Sequence, residues 1–134
     1  HKPLAKIASG GELSRVSLAI QVVAAAHSKI PTLVFDEVDV GIGGSTADIV
    51  GQLLKTLGDR GQVISVTHQP QVAAHAHHHY RASKVVDTQS AASLMTPLSR
   101  QERIEELARM LGGATVTEQT LSHATELLSL AVAE

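Results

Sequence analysis

Thr32-Leu33-Val34-Phe35-Asp36-Glu37-Val38-Asp39 decides how this chain is read. The stretch opens as a short apolar run and stops abruptly in carboxylates. A run of that kind predicts a strand buried on both faces, as in a parallel sheet. Asp36, Glu37 and Asp39 then stand at and just beyond its carboxyl end.

On the C-terminal side a glycine-rich loop follows, Gly41-Ile42-Gly43-Gly44. Ser45 and Asp48 give a capping-box pattern for a helix over 46–57, with Ile49, Val50, Leu53, Leu54 and Leu57 on one face. Gly58 and Gly61 mark its exit. Val63-Ile64-Ser65-Val66 predicts a second strand, ending at Thr67-His68. Strand, helix and strand in that order imply a right-handed parallel crossover. Parallel strands end at the same sheet edge, where open α/β sheets bind ligands. Asp36, Glu37 and His68 are therefore expected to converge there. One carboxylate can hold Mg²⁺ partly through water, a second can take a proton from an attacking water, and the imidazole can bond a phosphate oxygen. The competing reading is a solvated acidic turn. The glycine loop and the histidine on the neighbouring strand end favour a site.

On the N-terminal side, residues 9–27 read as a helix with Leu13, Val16, Ile20, Val23 and Ala24 at helical spacing. Ser9 and Glu12 form another capping-box pattern. Gly10 and Gly11 lie inside its first turn, where glycine costs about 1 kcal/mol relative to Ala. Close approach of a phosphate to bare backbone amides at a helix N-terminus gives them a reason. This helix is expected to run antiparallel to the first strand, with its N-terminus towards the Asp36 edge but on the flank of the sheet.

After Pro70 come a short alanine-rich segment and the cluster His75, His77, His78 and His79. Residues 80–86 and 92–98 predict two strands with a turn near Asp87 to Ser90. Ser99 with Glu102 predicts the start of a helix bearing Ile104, Leu107, Ala108 and Leu111, stopped at Gly112-Gly113. Thr115 with Glu118 predicts the start of a last helix carrying Leu121, Ala124, Leu127, Leu128 and Ala131. No internal repeat or low-complexity linker interrupts the chain, so 1–134 reads as a single α/β domain.

Composition narrows the function. The length of 134 residues suits one domain that buries roughly two-thirds of its unfolded surface. Hydrophobic residues make up 43% and charged ones 18%, which argues for a packed core over disorder. Phe35 and Tyr80 are the only aromatics, so base-stacking platforms are ruled out. Eleven Lys and Arg against 13 Asp and Glu leave a net charge of −2, which gives no strong basic field for a dedicated DNA-binding module. Absence of cysteine removes disulfide scaffolds and Cys-based zinc sites, and suits a reducing cytosol. No apolar run reaches membrane-spanning length, and His1 in place of Met reads as the start of an excised fragment.

One part of a nucleoside triphosphate site is missing. The phosphate-cradling loop G-x-x-x-x-G-K-[ST] has no counterpart, since no Gly-Lys dipeptide occurs. The remaining residues resemble one family in order and spacing. Ala8 to Arg15, with Ser9-Gly10-Gly11-Glu12 at its centre, resembles the signature motif of ABC-type ATPases. Leu33 to Glu37 resembles a Walker B strand with its glutamate, Val38-Asp39 with the following glycines a D-loop, and Val66-Thr67-His68 a switch histidine loop. Glu12 and Gln69 stand where transporter ATPases usually have Gln and Asp, which places the chain nearer the SMC-like ATPases. Residues 9–15, 35–44, 66–80 and 106–113 are similar to the bacterial SMC-like ATPases of DNA double-strand break repair. The likeness runs from about Pro3 to Leu128. Ala8 departs from the Leu common in the signature.

That resemblance implies the C-terminal lobe of a split P-loop ATPase head: a mainly parallel sheet flanked by helices, with a β-hairpin and two C-terminal helices. The phosphate loop would belong to the N-terminal half of the same head. By the resemblance Asp36 would coordinate Mg²⁺, Glu37 would be the general base, and His68 would sense the γ-phosphate of ATP. Ser9, Gly10, Gly11 and Glu12 would meet ATP held by a second head in a sandwiched homodimer, with Asp39 at the dimer interface. DNA would be engaged through the full-length protein, in the cytoplasm at the nucleoid, with no membrane partner. The alternatives are a transporter ATPase subunit, a hydrolase with zinc on His75 to His79, and an interaction domain with relic motifs.

Overall fold

The computed structural model describes residues 20, 23–25, 30–36, 39–87, 90–113 and 115–133. They form two compact units, His1–His75 and Ala76–Glu134, each described by itself below.

In the first unit, β1 (Thr32–Asp36) pairs in parallel with β2 (Gln62–Val66), and α1 (Gly44–Gly58) makes the crossover between them. The register sets Thr32 opposite Gln62, Val34 opposite Ile64 and Asp36 opposite Val66. Side chains alternate across a strand. Leu33, Phe35 and Val63 therefore join Val50, Leu54 and Leu57 of α1 in one core, together with Ile42, Ala47 and Val72. Burying each of the large aliphatic or aromatic groups contributes about 1.5–3 kcal/mol. The opposite face is open: Val34 is 66% exposed, Ile64 47% and Val66 50%. Among the described residues the expectation of a strand buried on both faces is not met, since α1 covers one side. An apolar run records which residues want burial and not whether a neighbour supplies it.

The start of α1 also departs from expectation. Its N-cap is Gly43, with no side-chain cap, and Gly44 begins the helix at φ +56°, a conformation that favours glycine. Ser45 is thus already inside the helix. The carboxylate of Asp48 turns to Gln52 (3.4 Å) and to His75 (2.7 Å) instead of capping. Ile49 and Leu53, expected to share one face with Val50, Leu54 and Leu57, are 55% and 42% exposed. After β2 the alanine-rich segment forms a short helix, α2 (Pro70–His75), whose Val72, Ala73 and Ala74 are buried. Of the expected first helix, Ile20 and residues 23–25 are helical. The rest of it lies outside the described residues.

In the second unit, β3 (Tyr80–Asp87) and β4 (Ser90–Pro97) pair antiparallel, with Tyr80 opposite Pro97 and Asp87 opposite Ser90. Leu98 N donates to His79 O at 2.9 Å and extends the pairing by one step. Helix α3 (Arg100–Gly112) opens with the expected reciprocal cap. Glu102 N donates to Ser99 Oγ (3.3 Å), and Ser99 N donates to the Glu102 carboxylate (2.8 Å). It ends at Gly113, φ +68°. Helix α4 (Glu118–Ala133) starts two residues later than its predicted cap: Thr117 and Thr120 cap each other, Thr120 N donating to Thr117 Oγ1 (3.2 Å) and Thr117 N to Thr120 Oγ1 (2.8 Å). Leu107 and Ala108 of α3 and Ala124, Leu128 and Ala131 of α4 are buried.

Candidate functional site

The parallel register brings the ends of β1 and β2 together. Asp36 is the last residue of β1 and faces Val66, the last of β2, so Thr67-His68 leaves the sheet at the edge where Asp36 stands. Asp36 and His68 are both exposed. Glu37, Ser9, Gly10, Gly11 and Glu12 lie outside the described residues.

Asp39 lies in the loop that follows β1. It is 1% exposed, and Thr67 Oγ1 donates a hydrogen bond to its Oδ2. The same hydroxyl accepts from Gln69 N at 2.9 Å, and Gln69 Nε2 donates to Ile42 O at 2.8 Å. Ile42 N closes a tight turn onto Asp39 O at 3.2 Å. A ring of four bonds thus ties the loop after β1 to the loop after β2, with His68 between its two anchors Thr67 and Gln69. Such a ring fixes the backbone that presents His68, because each member loses a buried partner if the loops separate.

A second tie lies behind it. His75, at the end of α2, is 5% exposed and bonds Asp48 of α1 at 2.7 Å. Gly51 makes room for the ring: a Cβ there would stand 2.5 Å from His75 Cδ2. Sequence reading missed Thr67, Gln69 and the Asp48–His75 pair as positioning groups. Thr67 and Gln69 flank His68, which is a usable signal. Asp48 and His75 meet only through the fold.

The histidine cluster is divided by these contacts. His75 is held in the first unit by Asp48, while His77, His78 and His79 lie in the second. Among the described residues no group of three or more His, Cys, Asp or Glu gathers to hold a metal. A single exposed carboxylate at a strand end does suit Mg²⁺, which keeps several waters and takes other oxygens from phosphate.

The fold defines a class. A solved SMC ATPase, from work on ATP-driven dimerisation and DNA-stimulated activation, superposes with a TM-score of 0.66 at 20% identity, covering 82% of this chain and 66% of that one. The chain therefore has the α/β fold of an SMC-type ATPase head lobe. In sequence it is similar to a segment of proteins named DNA repair protein RecN. It is 57% identical over 129 residues to RecN of Haemophilus influenzae, 59% over 130 to that of Xylella fastidiosa, and 51% over 127 to that of Deinococcus radiodurans. These alignments take in 95–96% of this chain but only 22–23% of each relative, so the chain spans about a quarter of their length. No protein-family model matches it. Among the described residues no helix is long and apolar enough to cross a membrane.

Proposed function

We propose that this chain supplies half of an ATP-hydrolysing site in a RecN-type DNA repair ATPase that acts on double-strand breaks. The observation that carries the reading is the shared edge of β1 and β2, where exposed Asp36 and the Thr67-His68 loop leave the sheet together. The RecN likeness over nearly the whole chain supports it independently.

In this reading Asp36 holds Mg²⁺ and Glu37 takes the proton of the attacking water. His68 bonds the γ-phosphate, and its loop keeps it there through Thr67 and Gln69. The metal, when bound, neutralises charge building on the phosphate oxygens. Phosphoryl transfer needs positioning and electrostatics more than covalent help from the protein. Ser9, Gly10, Gly11 and Glu12 meet ATP held by a second head, as the signature likeness implies. The Asp39 carboxylate is engaged by Thr67, so its role at the dimer interface would follow from holding its loop in shape.

The phosphate-binding lysine comes from the N-terminal half of the same head. The open apolar face of Val34, Ile64 and Val66 supports a missing partner layer of that kind. DNA is engaged by the full-length protein, in the cytoplasm. The chain alone then hydrolyses ATP negligibly, and adding the N-terminal half restores turnover. In the whole protein, Glu37→Gln keeps ATP binding and loses hydrolysis. Turnover of the chain alone at the intact protein's rate, or unchanged turnover in the Glu37→Gln variant, contradicts the reading.

A further inference from the structure

The second unit carries a surface cavity of about 230 Å³ that the ATPase reading does not use. It lies where the segment after α2, the start of β3 and the start of α3 meet. Its polar wall is His77, His78, His79, Arg100 and Arg103, and no carboxylate lines it. The acids nearest on α3 are engaged elsewhere. Glu102 accepts the Ser99 N–H at 2.8 Å. Glu106 is clasped by Arg109 at 2.6 Å and approached by Arg81 at 3.9 Å.

Arg103 is also held in place. Arg103 donates to Ala76 O at 2.7 Å, which pins its guanidinium against the segment entering the cavity. His79 Nδ1 is buried and makes no hydrogen bond. Burial together with the neighbouring Arg103 holds the His79 ring below the usual histidine range, and Arg103 is itself pushed down by burial and by Arg100. Like charges gathered round a small hollow repel one another, and an anion seated among them relieves that repulsion. Ligand pockets for organic molecules run to roughly 300–1,000 Å³. This cavity is smaller, which suits a single phosphate group. Guanidinium forks are the groups best matched to phosphate oxygens.

We infer that the cavity between His77, His78, Arg100 and Arg103 is a phosphate site, and that it takes a phosphodiester of the DNA backbone. The DNA assignment rests on the repair function proposed above. The site itself does not. A phosphate contact of this kind adds affinity without sequence preference and positions the protein on the strand.

The test uses the whole protein that carries this stretch, with a fluorescein-labelled duplex DNA titrated over a range of salt. Arg100→Gln is expected to weaken binding about five- to tenfold near 0.1 M salt and to lower the log–log salt slope by about 1. Arg100→Lys, which keeps the charge, is expected to retain the slope. ATP hydrolysis without DNA should be unchanged in both. If the parent fails to hydrolyse ATP, the ATPase reading falls. If the parent is active but a folded Arg100→Gln binds DNA with unchanged affinity and slope, this inference alone falls. Because the variant could unfold the unit, the parent is also followed through its histidine ring resonances. Inorganic phosphate should shift those of His78 and His79, and duplex DNA should compete for the same shifts. Phosphate shifts without competition by DNA overturn the DNA assignment, and no shift with either overturns the site.

Discussion

The hydroxyl of Thr67 donates a hydrogen bond to the buried carboxylate of Asp39, and this contact joins the loop after β1 to the loop after β2. Its consequence is mechanical. His68 follows Thr67 directly, so whatever holds Thr67 also sets where His68 emerges from the sheet edge.

Removing that hydroxyl strands a carboxylate. Asp39 Oδ1 already has no partner, so Thr67→Val leaves the buried group with neither oxygen bonded. The expected loss is about 2–4 kcal/mol of unfolding free energy, as for a buried charge deprived of its partner. Thr67→Ser keeps the donor and should stay within about 1 kcal/mol of the parent. Urea unfolding of both variants checks this. Equal stabilities would remove the bond from the account.

Gly51→Ala should destabilise the first unit even though Ala is the better helix residue by about 1 kcal/mol. The new methyl would stand 2.5 Å from His75 Cδ2 and 3.1 Å from Gln71 O. The His75 ring cannot swing aside without breaking its 2.7 Å bond to Asp48. Overpacking of this kind costs about 1–3 kcal/mol, so the clash outweighs the propensity gain. His75→Ala makes room, and the double variant should be markedly less destabilised than the sum of the singles. Simple additivity in thermal melts would contradict the packing described.

These contacts mark where sequence reading succeeds and where it stops. The pairing of β1 with β2 is legible because an apolar run ending in Asp36 and another ending before His68 flank an amphipathic helix. The reciprocal cap of Ser99 and Glu102 is legible because it is local. The same local pattern misleads at Ser45 and Asp48, since Gly44 can start the helix earlier and Asp48 finds a stronger use against His75. At Thr115 the pattern loses to Thr117, which has Thr120 as a reciprocal partner. The exposure of Val34 and Ile64 and the engagement of Asp39 are tertiary facts, set by what covers a face and by which loop lies opposite.

Ser99→Ala should cost about 1 kcal/mol, the usual value of a lost N-cap. The effect has a pH signature. Hydrogen bonds from Ser99 hold the Glu102 carboxyl below its ordinary range. That contribution is present above the ordinary glutamate pKa and fades as the pH falls through the lowered one. Melting curves taken at neutral and acid pH should show the gap between variant and parent narrowing in acid without closing, because the Glu102 N–H bond to Ser99 Oγ does not titrate. A gap that stays constant would show that the Ser99 hydroxyl does not act on the Glu102 carboxylate.

His79 acts with the opposite sign. Its folded-state pKa is lowered, first by burial and then by Arg103, with Glu106 opposing both. The neutral ring therefore suits the folded state. Below about pH 6.5 the unfolded chain binds the proton first, and stability falls until the lowered value is passed. His79→Gln should flatten the decline of melting temperature between about pH 7 and pH 5.5. An unchanged pH profile would show that the ring is not the group responsible.

The central claim is that Asp36 and His68 face one bound nucleotide across the shared strand edge. It is tested most directly by loading the whole protein with ATP and Mn²⁺ in place of Mg²⁺ and following the His68 ring resonances, assigned with a His68→Gln variant. The account predicts strong paramagnetic broadening of His68 that is lost in Asp36→Asn. A His68 signal that stays sharp while Mn²⁺ and nucleotide are bound would contradict it.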